Sequence, residues 1–379
     1  MIIDYFLLII AQLSIIKSHK LKGFSMNRYH RIAIEITVLA ALVAALYFFA
    51  PAKDESVWSA GRIDVDSGMH EVMGTFARVV AVAADSNTAK GCIEAAFTEI
   101  ENVDKLMSKY KNDSEISELN RDGFRRAVKV SKSTYEVLQR SIEFSKLSRG
   151  AFDVTVGPLV DLWHSAQDAN SIPNDVELQQ AHSKVGYDKL ILDANEMSVR
   201  FTVEGMKVDL GGIAKGYALD KTAEAMQKSG ALGGMVDIGG EILCFGLPPA
   251  GQNNWRIGLQ DPKKAKDGFD AGASLLVLNL TNVAVATSGH YRRFVTIGGQ
   301  RYSHIVNPES GHSSENLTSI TIICPSATDA DALSTAVAVM GKEKGLALIE
   351  QMPGVEAILI TPAPEFKQIQ TTGAKKFIE

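Results

Sequence analysis

A group of oxygen-bearing side chains near the carboxyl end of the chain has the spacing of a metal site. The alanine-rich segment 326–341 follows a proline and ends at a glycine, which is typical of a helix with a polar first turn. On such a helix Asp331, Ser334 and Thr335 share one face, because residues three and four positions apart are neighbours. Carboxylate and hydroxyl oxygens suit a hard cation such as Mg²⁺. An ordinary helix capped by Asp329, with its hydroxyls bonded to its own backbone, explains the same residues.

A second stretch that could do chemistry is the segment 208–220, where an apolar run ends in two glycines and a helix is predicted to begin. The free N–H groups and the dipole of a helix start attract an anion, and Lys215 adds a positive charge one turn into the helix. Phosphate is the natural candidate, although the segment matches neither the dinucleotide-binding nor the P-loop fingerprint. A tight strand-to-helix turn without a ligand fits the pattern equally well.

Several further positions could contact a ligand. Small residues beside Phe152 and Asp153 in the segment 150–158 allow a ligand to approach the backbone closely, and a simple packing turn would also explain them. Tyr110 suits either the core or a surface that stacks on a ring. His304 has no base or nucleophile fixed beside it by the sequence, so a structural role and a ligand contact both remain open.

Composition and motif content exclude several functional classes. The 379 residues carry a formal net charge of −5, so the chain lacks the basic footprint of a nucleic-acid-binding protein. Cys92, Cys244 and Cys324 are far apart in apolar settings, which predicts buried thiols rather than a zinc or redox site. The sequence contains no serine-hydrolase elbow. We therefore expect no nucleic-acid partner and no serine or thiol nucleophile.

The amino-terminal part predicts attachment to a membrane. The near-continuous apolar run 32–50 follows basic residues, and a helix of its length spans about 28 Å, enough for the hydrocarbon core. We therefore predict a signal anchor or signal peptide over 26–53, with the body of the protein on the extracytoplasmic, periplasmic side. Residues 1–25 are a doubtful extension, because Met26 would open a conventional signal, and 54–70 are predicted to form a linker.

The rest of the chain alternates predicted strands and amphipathic helices. A strand is predicted at 74–82, helices at 88–110 and 133–148, and a short helix after Ser114. Alternating runs predict an antiparallel meander at 189–193, 198–201 and 207–210. A second sheet is predicted from 235–243, 255–260, 274–280 and 283–287. The predicted fold class is α+β, with mixed, largely antiparallel sheets and flanking helices.

The chain also carries a series of short motifs in a definite order. They are MGT at 73–75, MSKY at 107–110 with the segment up to Asn120, AFD at 151–153, VDLGGIAKGY at 208–217, GGE at 239–241, TSG at 287–289, HIVNP at 304–308 and ADALST at 330–335. Each motif is short, but together and in this order they are specific. From about Met73 to its carboxyl end the chain resembles the FAD:protein FMN transferase family, also called the ApbE family.

This resemblance implies one catalytic unit over 71–379, with an ApbE-like, T-fold-like α+β architecture. It implies a Mg²⁺-dependent enzyme that moves FMN from FAD onto a Thr or Ser hydroxyl of another protein and releases AMP. The positions at which the family contacts FAD are Met73, Tyr110, Ala151, Phe152, Asp153, Asp209, Lys215 and Ile305. The family binds metal at the positions of Gly212, through its carbonyl, Asp331 and Thr335, with Ser334 adjacent. The candidate catalytic residues are Asp331 and His304, the latter to assist deprotonation of the incoming hydroxyl.

The resemblance further suggests target proteins, and two alternative functions remain open. Family precedent suggests target subunits of sodium-pumping NADH:quinone reductase or of Rnf-type electron-transfer complexes. A Mg²⁺-dependent FAD pyrophosphatase that yields FMN and AMP would use the same site with water in place of the hydroxyl. A flavin-binding protein without catalysis belongs to a different functional class. No cysteine for lipid attachment follows the apolar run, so the amino-terminal anchor would attach the protein to the membrane.

Overall fold

The computed structural model describes residues 61–264, 274–289 and 294–379. The predicted extension 1–25, the predicted signal segment 26–53 and the first part of the predicted linker lie outside these residues. Within the described ranges, no helix combines the length and the apolar character needed to cross a membrane.

The described residues form the strands and helices of an α+β protein, which confirms the predicted fold class. The strands are β1 (Ile63–Val72), β2 (Thr75–Ala83), β3 (Val128–Lys129), β4 (Leu190–Asp193), β5 (Ser198–Phe201), β6 (Gly233–Ile238), β7 (Glu241–Gly246), β8 (Trp255–Gln260), β9 (Ser274–Leu280), β10 (Val283–Gly289), β11 (Phe294–Ile297), β12 (Gln300–Ser303), β13 (Ser319–Cys324), β14 (Glu356–Ile360) and β15 (Gln368–Gln370). The helices are α1 (Ser86–Met107), α2 (Glu115–Asp122), α3 (Lys132–Leu147), α4 (Gly157–Ala169), α5 (Asp175–His182), α6 (Ala214–Lys228) and α7 (Ala327–Ile349). The helices predicted at 88–110 and 133–148 correspond to α1 and α3.

One large antiparallel sheet carries most of the fold. Its eight strands follow the order β1-β2-β6-β7-β10-β13-β14-β15, and each neighbouring pair is antiparallel. Smaller sheets are formed by β3-β5-β4, by β8-β9 and by β11-β12. The prediction of a separate second sheet is therefore wrong for β6, β7 and β10. These strands extend the first sheet because β2 pairs with β6, a contact between distant residues that no local pattern reveals.

Both faces of the large sheet are covered, because its central strands are apolar on both sides. Every residue of β13 is buried. Ile320, Ile322 and Cys324 belong to the main core, which also contains apolar residues of α1, α6 and α7. Ile323 points to the opposite face and packs with residues of β8 and β9. The helices α6 and α7 are therefore held on one side of the sheet, next to each other.

The three cysteines are buried free thiols, as predicted. Cys92 and Cys324 belong to the core between sheet and helices, and Cys244 belongs to the core on the other face. Burial raises the pKa of all three thiols. A thiol whose pKa is raised holds its proton at neutral pH and is a poor nucleophile.

The segment Lys207–Leu210 was predicted to be a strand, and this prediction is wrong. The side-chain amide of Asn120 donates to the Val208 carbonyl at 2.9 Å and accepts from the Val208 N–H at 2.7 Å. One side chain therefore satisfies both backbone groups that a neighbouring strand would otherwise bond. The segment makes only an isolated parallel bridge, between Val156 and Lys207, and continues as a loop towards α6.

The amino-terminal boundary of the folded part lies earlier than predicted. Strand β1 begins at Ile63 and pairs with β2, so eight of the residues assigned to the linker 54–70 belong to the sheet. This strand is at the sheet edge and most of its side chains are exposed. Its polar composition is that of an edge strand, and a sequence pattern alone does not separate such a strand from a linker.

The start of α7 is capped by Ser326 and not by Asp329. The Ser326 hydroxyl accepts the Asp329 N–H at 3.2 Å, while the Asp329 carboxylate forms an ion pair with Arg140 at 2.7 Å. The Asp220 carboxylate of α6 accepts the N–H groups of Ala327 and Thr328, both at 2.9 Å. The two helices are thus joined where α7 begins. Helical geometry in α7 is interrupted at Gly341, which has φ of 76°.

Candidate active site

A cavity of about 610 Å³ brings almost all of the predicted site residues together. It lies among the starts of α6 and β7, the first turns of α7, the segment after α1 and the loop after β12. Its volume is within the range of small-molecule and cofactor sites. The predicted residues that line it are Met73, Tyr110, Ala151, Phe152, Asp153, Asp209, Gly212, Lys215, His304, Ile305, Asp331 and Thr335.

Two tight hairpin turns meet at one side of the cavity. Met73 and Gly74, between β1 and β2, have φ of 48° and 65°, and Gly239 and Gly240, between β6 and β7, have φ of 66° and 89°. Left-handed φ at both central residues is the requirement of the hairpin turn that fits strand twist, and glycine adopts it without strain. The Gly239 N–H donates to the Phe76 carbonyl at 2.8 Å, so the two turns are fixed side by side. Met73 is thereby placed at the cavity wall.

The close crossing of α6 and α7 positions Asp331. Its Oδ2 accepts the Gly216 N–H at 3.0 Å, in the first turn of α6. Only a glycine at 216 permits this approach, because a Cβ there would lie 2.2 Å from the Ala327 carbonyl oxygen and 2.8 Å from the Asp331 Cβ. The carboxylate is buried, with 2% of its side chain exposed. The helix start therefore holds this carboxylate with a backbone donor and a favourable dipole.

We expect the substitution Gly216→Ala to lower the free energy of unfolding by about 3 kcal/mol, because the added methyl group would force α6 and α7 apart. Gly91→Ala is the matched control, since it lies inside α1 with no atom within 4 Å of the new Cβ. That control should raise stability by up to about 1 kcal/mol, the gain of alanine over glycine in a helix. Urea unfolding of both variants measures the difference. Equal stabilities would contradict the close crossing.

The backbone of Gly212 lies directly against the hydroxyl of Thr335. A Cβ at Gly212 would lie 2.9 Å from the Thr335 Oγ1 and 3.4 Å from the Phe152 ring. Thr335 is one helical turn after Asp331, so a carboxylate, a hydroxyl and a backbone segment converge. The described residues contain no group of three or more His, Cys, Asp and Glu side chains arranged to hold a metal. A cation here would bind carboxylate, hydroxyl and backbone oxygens, the donor set that Mg²⁺ accepts.

Ser334 is placed differently from the other predicted metal-site residues. It is buried and does not line the cavity. Its hydroxyl donates to the Asp331 carbonyl at 2.9 Å and lies 2.8 Å from the Ser288 Oγ. The structure thus joins Ser334 to α7 and β10, and does not bring its oxygen to the cavity beside Asp331.

Lys215 lies between two buried carboxylates. Its Nζ forms an ion pair with Glu241 Oε1 and lies 3.6 Å from Asp331 Oδ1. Only 7% of the Glu241 side chain is exposed. Burial and the neighbouring Asp331 charge raise the pKa of Glu241, while the Lys215 ammonium opposes that shift. The site therefore combines two acidic groups with one cation at the start of α6.

Glu241 belongs to the GGE motif at 239–241, but it has no role among the predicted site residues. It is the first residue of β7, which otherwise carries apolar side chains into the core. An acidic residue directed into a core from the first position of a strand is costly without a partner, and this is the signal that could have identified it. Its partner Lys215 is 26 positions earlier in sequence, so no local pattern connects the two.

The loop after α3 forms a rigid wall of the cavity. The Asp153 carboxylate accepts the Thr155 N–H at 2.8 Å, the Thr155 hydroxyl at 2.7 Å and the Tyr187 N–H at 2.9 Å. Burial raises the pKa of Asp153, and these hydrogen bonds partly offset the shift. Phe152 is buried and packs edge-on against Phe144, with ring centroids 6.3 Å apart. The loop thus combines the packed ring of Phe152 with the Asp153 carboxylate, which accepts hydrogen bonds from the protein itself.

Tyr110 belongs to the rim of the cavity and not to the core, so the first of its two alternatives is wrong. The residue is 78% exposed. The neighbouring Lys109 pairs with Asp209, with Nζ 2.8 Å from Oδ2, and this pair links the segment after α1 to the loop before α6. An exposed aromatic ring beside a cavity is suited to stacking on a flat ligand ring.

Among the described residues, two histidines line the cavity. His304 follows β12 and is exposed, while the next residue, Ile305, is buried and donates its N–H to the Ser303 Oγ at 3.1 Å. His164, in α4, also lines the cavity and is exposed. The structure therefore places His304 where a solvent-accessible imidazole can meet a bound molecule. His164 offers a matched residue of the same type.

Comparison with known proteins gives one consistent family. Residues 73–359 match the model of the ApbE family. The chain is 34% identical over 298 residues to the FAD:protein FMN transferase of Vibrio cholerae, covering 78% of this chain and 86% of that protein. It is 32% identical over 305 residues to the FAD:protein FMN transferase of Treponema pallidum, covering 77% and 83%.

Solved structures agree with this result. The crystal structure of the ApbE protein from Thermotoga maritima has a TM-score of 0.74 and 30% identity, covering 84% of this chain and all 100% of that one. The flavin transferase ApbE from Vibrio cholerae has a TM-score of 0.70 and 31% identity, covering 84% and 99%. Family model, sequence relatives and solved structures all point to one family, and the chain belongs to the ApbE family.

Proposed function

We propose that this protein is an FAD:protein FMN transferase, which moves FMN from FAD to a Thr or Ser hydroxyl of a target protein and releases AMP. The relatives reported above carry the name of this activity. The observation that carries the proposal is the convergence of Asp331, Thr335 and the start of α6 in one cavity. Such a convergence provides a cation site beside an anion site, which is what transfer from a pyrophosphate requires.

The FAD substrate would lie along the cavity with its pyrophosphate near the start of α6. The dipole at the start of α6 favours an anion there, and the Lys215 ammonium adds positive charge. The exposed ring of Tyr110 offers a stacking surface for a flat ring system. The remaining predicted contacts, Met73, Ala151, Phe152, Asp153, Asp209 and Ile305, border the same space.

The donor set of the site fits Mg²⁺. Asp331, Thr335 and the backbone of Gly212 would hold the ion, because all three present oxygen and lie side by side. Bound there, Mg²⁺ would neutralise charge on the pyrophosphate oxygens. Asp331 is fixed by the Gly216 N–H, so its oxygens are oriented before any ligand arrives.

The proposed reaction forms one P–O bond and breaks another. The target hydroxyl oxygen attacks the phosphorus on the FMN side, the bond to the bridging oxygen breaks, and AMP leaves with that oxygen and its electron pair. His304 accepts the proton of the incoming hydroxyl, because imidazole is the side chain suited to proton transfer near neutral pH. Its exposed position at the cavity leaves room for a hydroxyl carried by another protein.

One assay separates this function from its rivals. The protein is incubated with FAD, Mg²⁺ and a candidate target, and the products are followed as protein-bound flavin fluorescence, free FMN and AMP. A transferase yields AMP together with covalently flavinylated target. A pyrophosphatase yields free FMN and AMP without labelled target, and a binding protein yields neither product.

For the targets we propose flavoprotein subunits of sodium-pumping NADH:quinone reductase or Rnf-type complexes. The support is the family to which the chain belongs, together with the hydroxyl acceptor that the reaction requires. Purified subunits of both complexes, each with and without its acceptor Thr replaced by Ala, are the appropriate substrates for the assay. Labelling of neither intact subunit, in an assay that consumes FAD, would contradict this choice.

We further propose that the protein acts on the periplasmic face of the inner membrane, held by its predicted anchor 26–53. A reporter that is active only outside the cytoplasm is expected to be active when fused after Glu379. The matched control carries the same reporter on a chain that lacks residues 26–53, and it should be inactive. Activity of a cytoplasm-only reporter on the full chain would reverse the proposed topology.

A further inference from the structure

We propose that Glu241 is a positioning residue that draws the Lys215 ammonium away from Asp331 and so keeps Asp331 available to a divalent cation. The inference rests on the proposed cation site, and it assigns a task to a buried carboxylate that lies outside the predicted ligand set. Glu241 positions the Lys215 side chain, and this leaves the Asp331 carboxylate available as a metal ligand.

The distances around Lys215 carry the argument. Its Nζ makes its close ion pair with Glu241 Oε1, while Asp331 Oδ1 lies 3.6 Å away. That second distance is short enough for strong attraction and too long for a good hydrogen bond. The ammonium is therefore held near Asp331 without occupying it. The other oxygen of Asp331 is directed to the Gly216 N–H.

The burial of both carboxylates strengthens their electrostatic interaction with Lys215. The exposed side-chain fractions are 2% for Asp331, 7% for Glu241 and 16% for Lys215. Water screens such charges weakly, so the ammonium and an incoming cation compete directly for the same carboxylate. Two buried carboxyl groups share one ammonium, so Lys215 cannot pair closely with both at once. With Asp331 as the single carboxyl group, Lys215 would pair with it directly.

One carboxylate oxygen of Glu241 is buried without a hydrogen bond, so packing alone does not explain an acidic residue at this position. Among the described residues, Glu241 Oε2 has no hydrogen-bond partner although it is buried. A buried carboxylate oxygen without a donor is costly, and an apolar side chain of similar size, such as methionine, would avoid the cost. The carboxylate is explained by its attraction for Lys215, whose flexible stem would otherwise let the ammonium reach Asp331.

The test is a charge-conserving double-mutant cycle read out as Mn²⁺ binding, without FAD or target. Mn²⁺ takes oxygen ligands like those of Mg²⁺, and electron paramagnetic resonance measures its free concentration. Glu241→Asp keeps the charge but is too short to hold Lys215, so we expect Mn²⁺ affinity to fall about tenfold, the scale for residues that support metal ligands. In a Lys215→Met background the same substitution should change affinity less than about threefold, because the competing ammonium is gone.

A matched control uses Lys109, the other partly buried lysine among the described residues that line the cavity. The Lys109 side chain is also 16% exposed and pairs with Asp209 at 2.8 Å. Lys109→Met should leave Mn²⁺ affinity unchanged, because its ammonium is not paired with Asp331. Thermal unfolding of every variant identifies losses that come from the fold.

Each outcome has a distinct meaning. A loss that persists in the Lys215→Met background would make Glu241 a cation ligand and overturn the positioning role. Full affinity in Glu241→Asp alone would overturn it too. Failure of the unaltered protein to bind Mn²⁺ would instead contradict the proposed cation site.

If Glu241→Asp does not fold, a metal-free crystal structure of Glu241→Gln is the alternative test. The Lys215 Nζ should then form a hydrogen bond with Asp331, and an Nζ that remains apart from Asp331 contradicts the proposal.

Discussion

Replacing Asp331 by asparagine is expected to lower the rate of FMN transfer by about 10³-fold, because a metal ligand that stabilises transition-state charge is worth several kcal/mol. Asparagine keeps the shape of the side chain and an oxygen that accepts the Gly216 N–H, which lies 3.0 Å away in the native protein. The free energy of unfolding should therefore change by no more than about 1 kcal/mol. The measurement is the transfer rate against Mg²⁺ concentration in the folded variant.

Two variants on the same helix are the controls for this experiment. Asp329→Ala removes a partly exposed carboxylate that pairs with Arg140 at 2.7 Å, so it should cost about 1 kcal/mol of stability or less and leave the transfer rate unchanged. Thr335→Val keeps the volume but removes the hydroxyl oxygen, and it should weaken Mg²⁺ dependence less than Asp331→Asn does. If the transfer rate of Asp331→Asn depended on Mg²⁺ concentration almost as in the native protein, both the metal assignment and the proposed mechanism would be contradicted.

The features that sequence reasoning predicted are those whose signals are local. Helical periodicity predicts that Asp331 and Thr335 share one face, and the proline before the segment marks the start of the helix. The predicted end at Gly341 is wrong, because α7 resumes after this residue and continues to Ile349. The two glycines before α6 likewise mark a turn that opens a helix. Most of the N–H groups at this helix start are not free, because those of Ile213, Ala214 and Gly216 donate to Leu210 and Asp331. These signals were sufficient to place a carboxylate, a hydroxyl and a helix start, and the structure brings them into one cavity.

The features that were missed depend on distant residues. Asn120 satisfies the backbone of Val208, so an apolar run with strand character remains a loop. Arg140 pairs with Asp329, and the capping role passes to Ser326. Glu241 reaches Lys215 only because β7 and α6 are packed together by the sheet. In each case a tertiary contact decides between two conformations or roles that local preference leaves nearly equal.

The substitution His304→Ala is expected to lower the turnover number for FMN transfer by about 10²–10⁴-fold, the usual contribution of a general base. His164→Ala is the matched control, because this second histidine also lines the cavity and is similarly exposed. We expect His164→Ala to change the turnover number less than about threefold, since peripheral contacts contribute little. The rate is measured against FAD concentration and against pH for both variants.

The form of the loss distinguishes a base from a binding residue. A base must be deprotonated to act, so any rise of the native rate with pH that depends on this imidazole should disappear in His304→Ala. If His304 only held FAD, the Michaelis constant for FAD would rise while the turnover number and the pH profile stayed native. Water that enters the space of the missing imidazole would still meet the intact Asp331 site. Slow AMP release without labelled target is therefore the expected residual activity, and unaltered target labelling would exclude His304 from proton transfer.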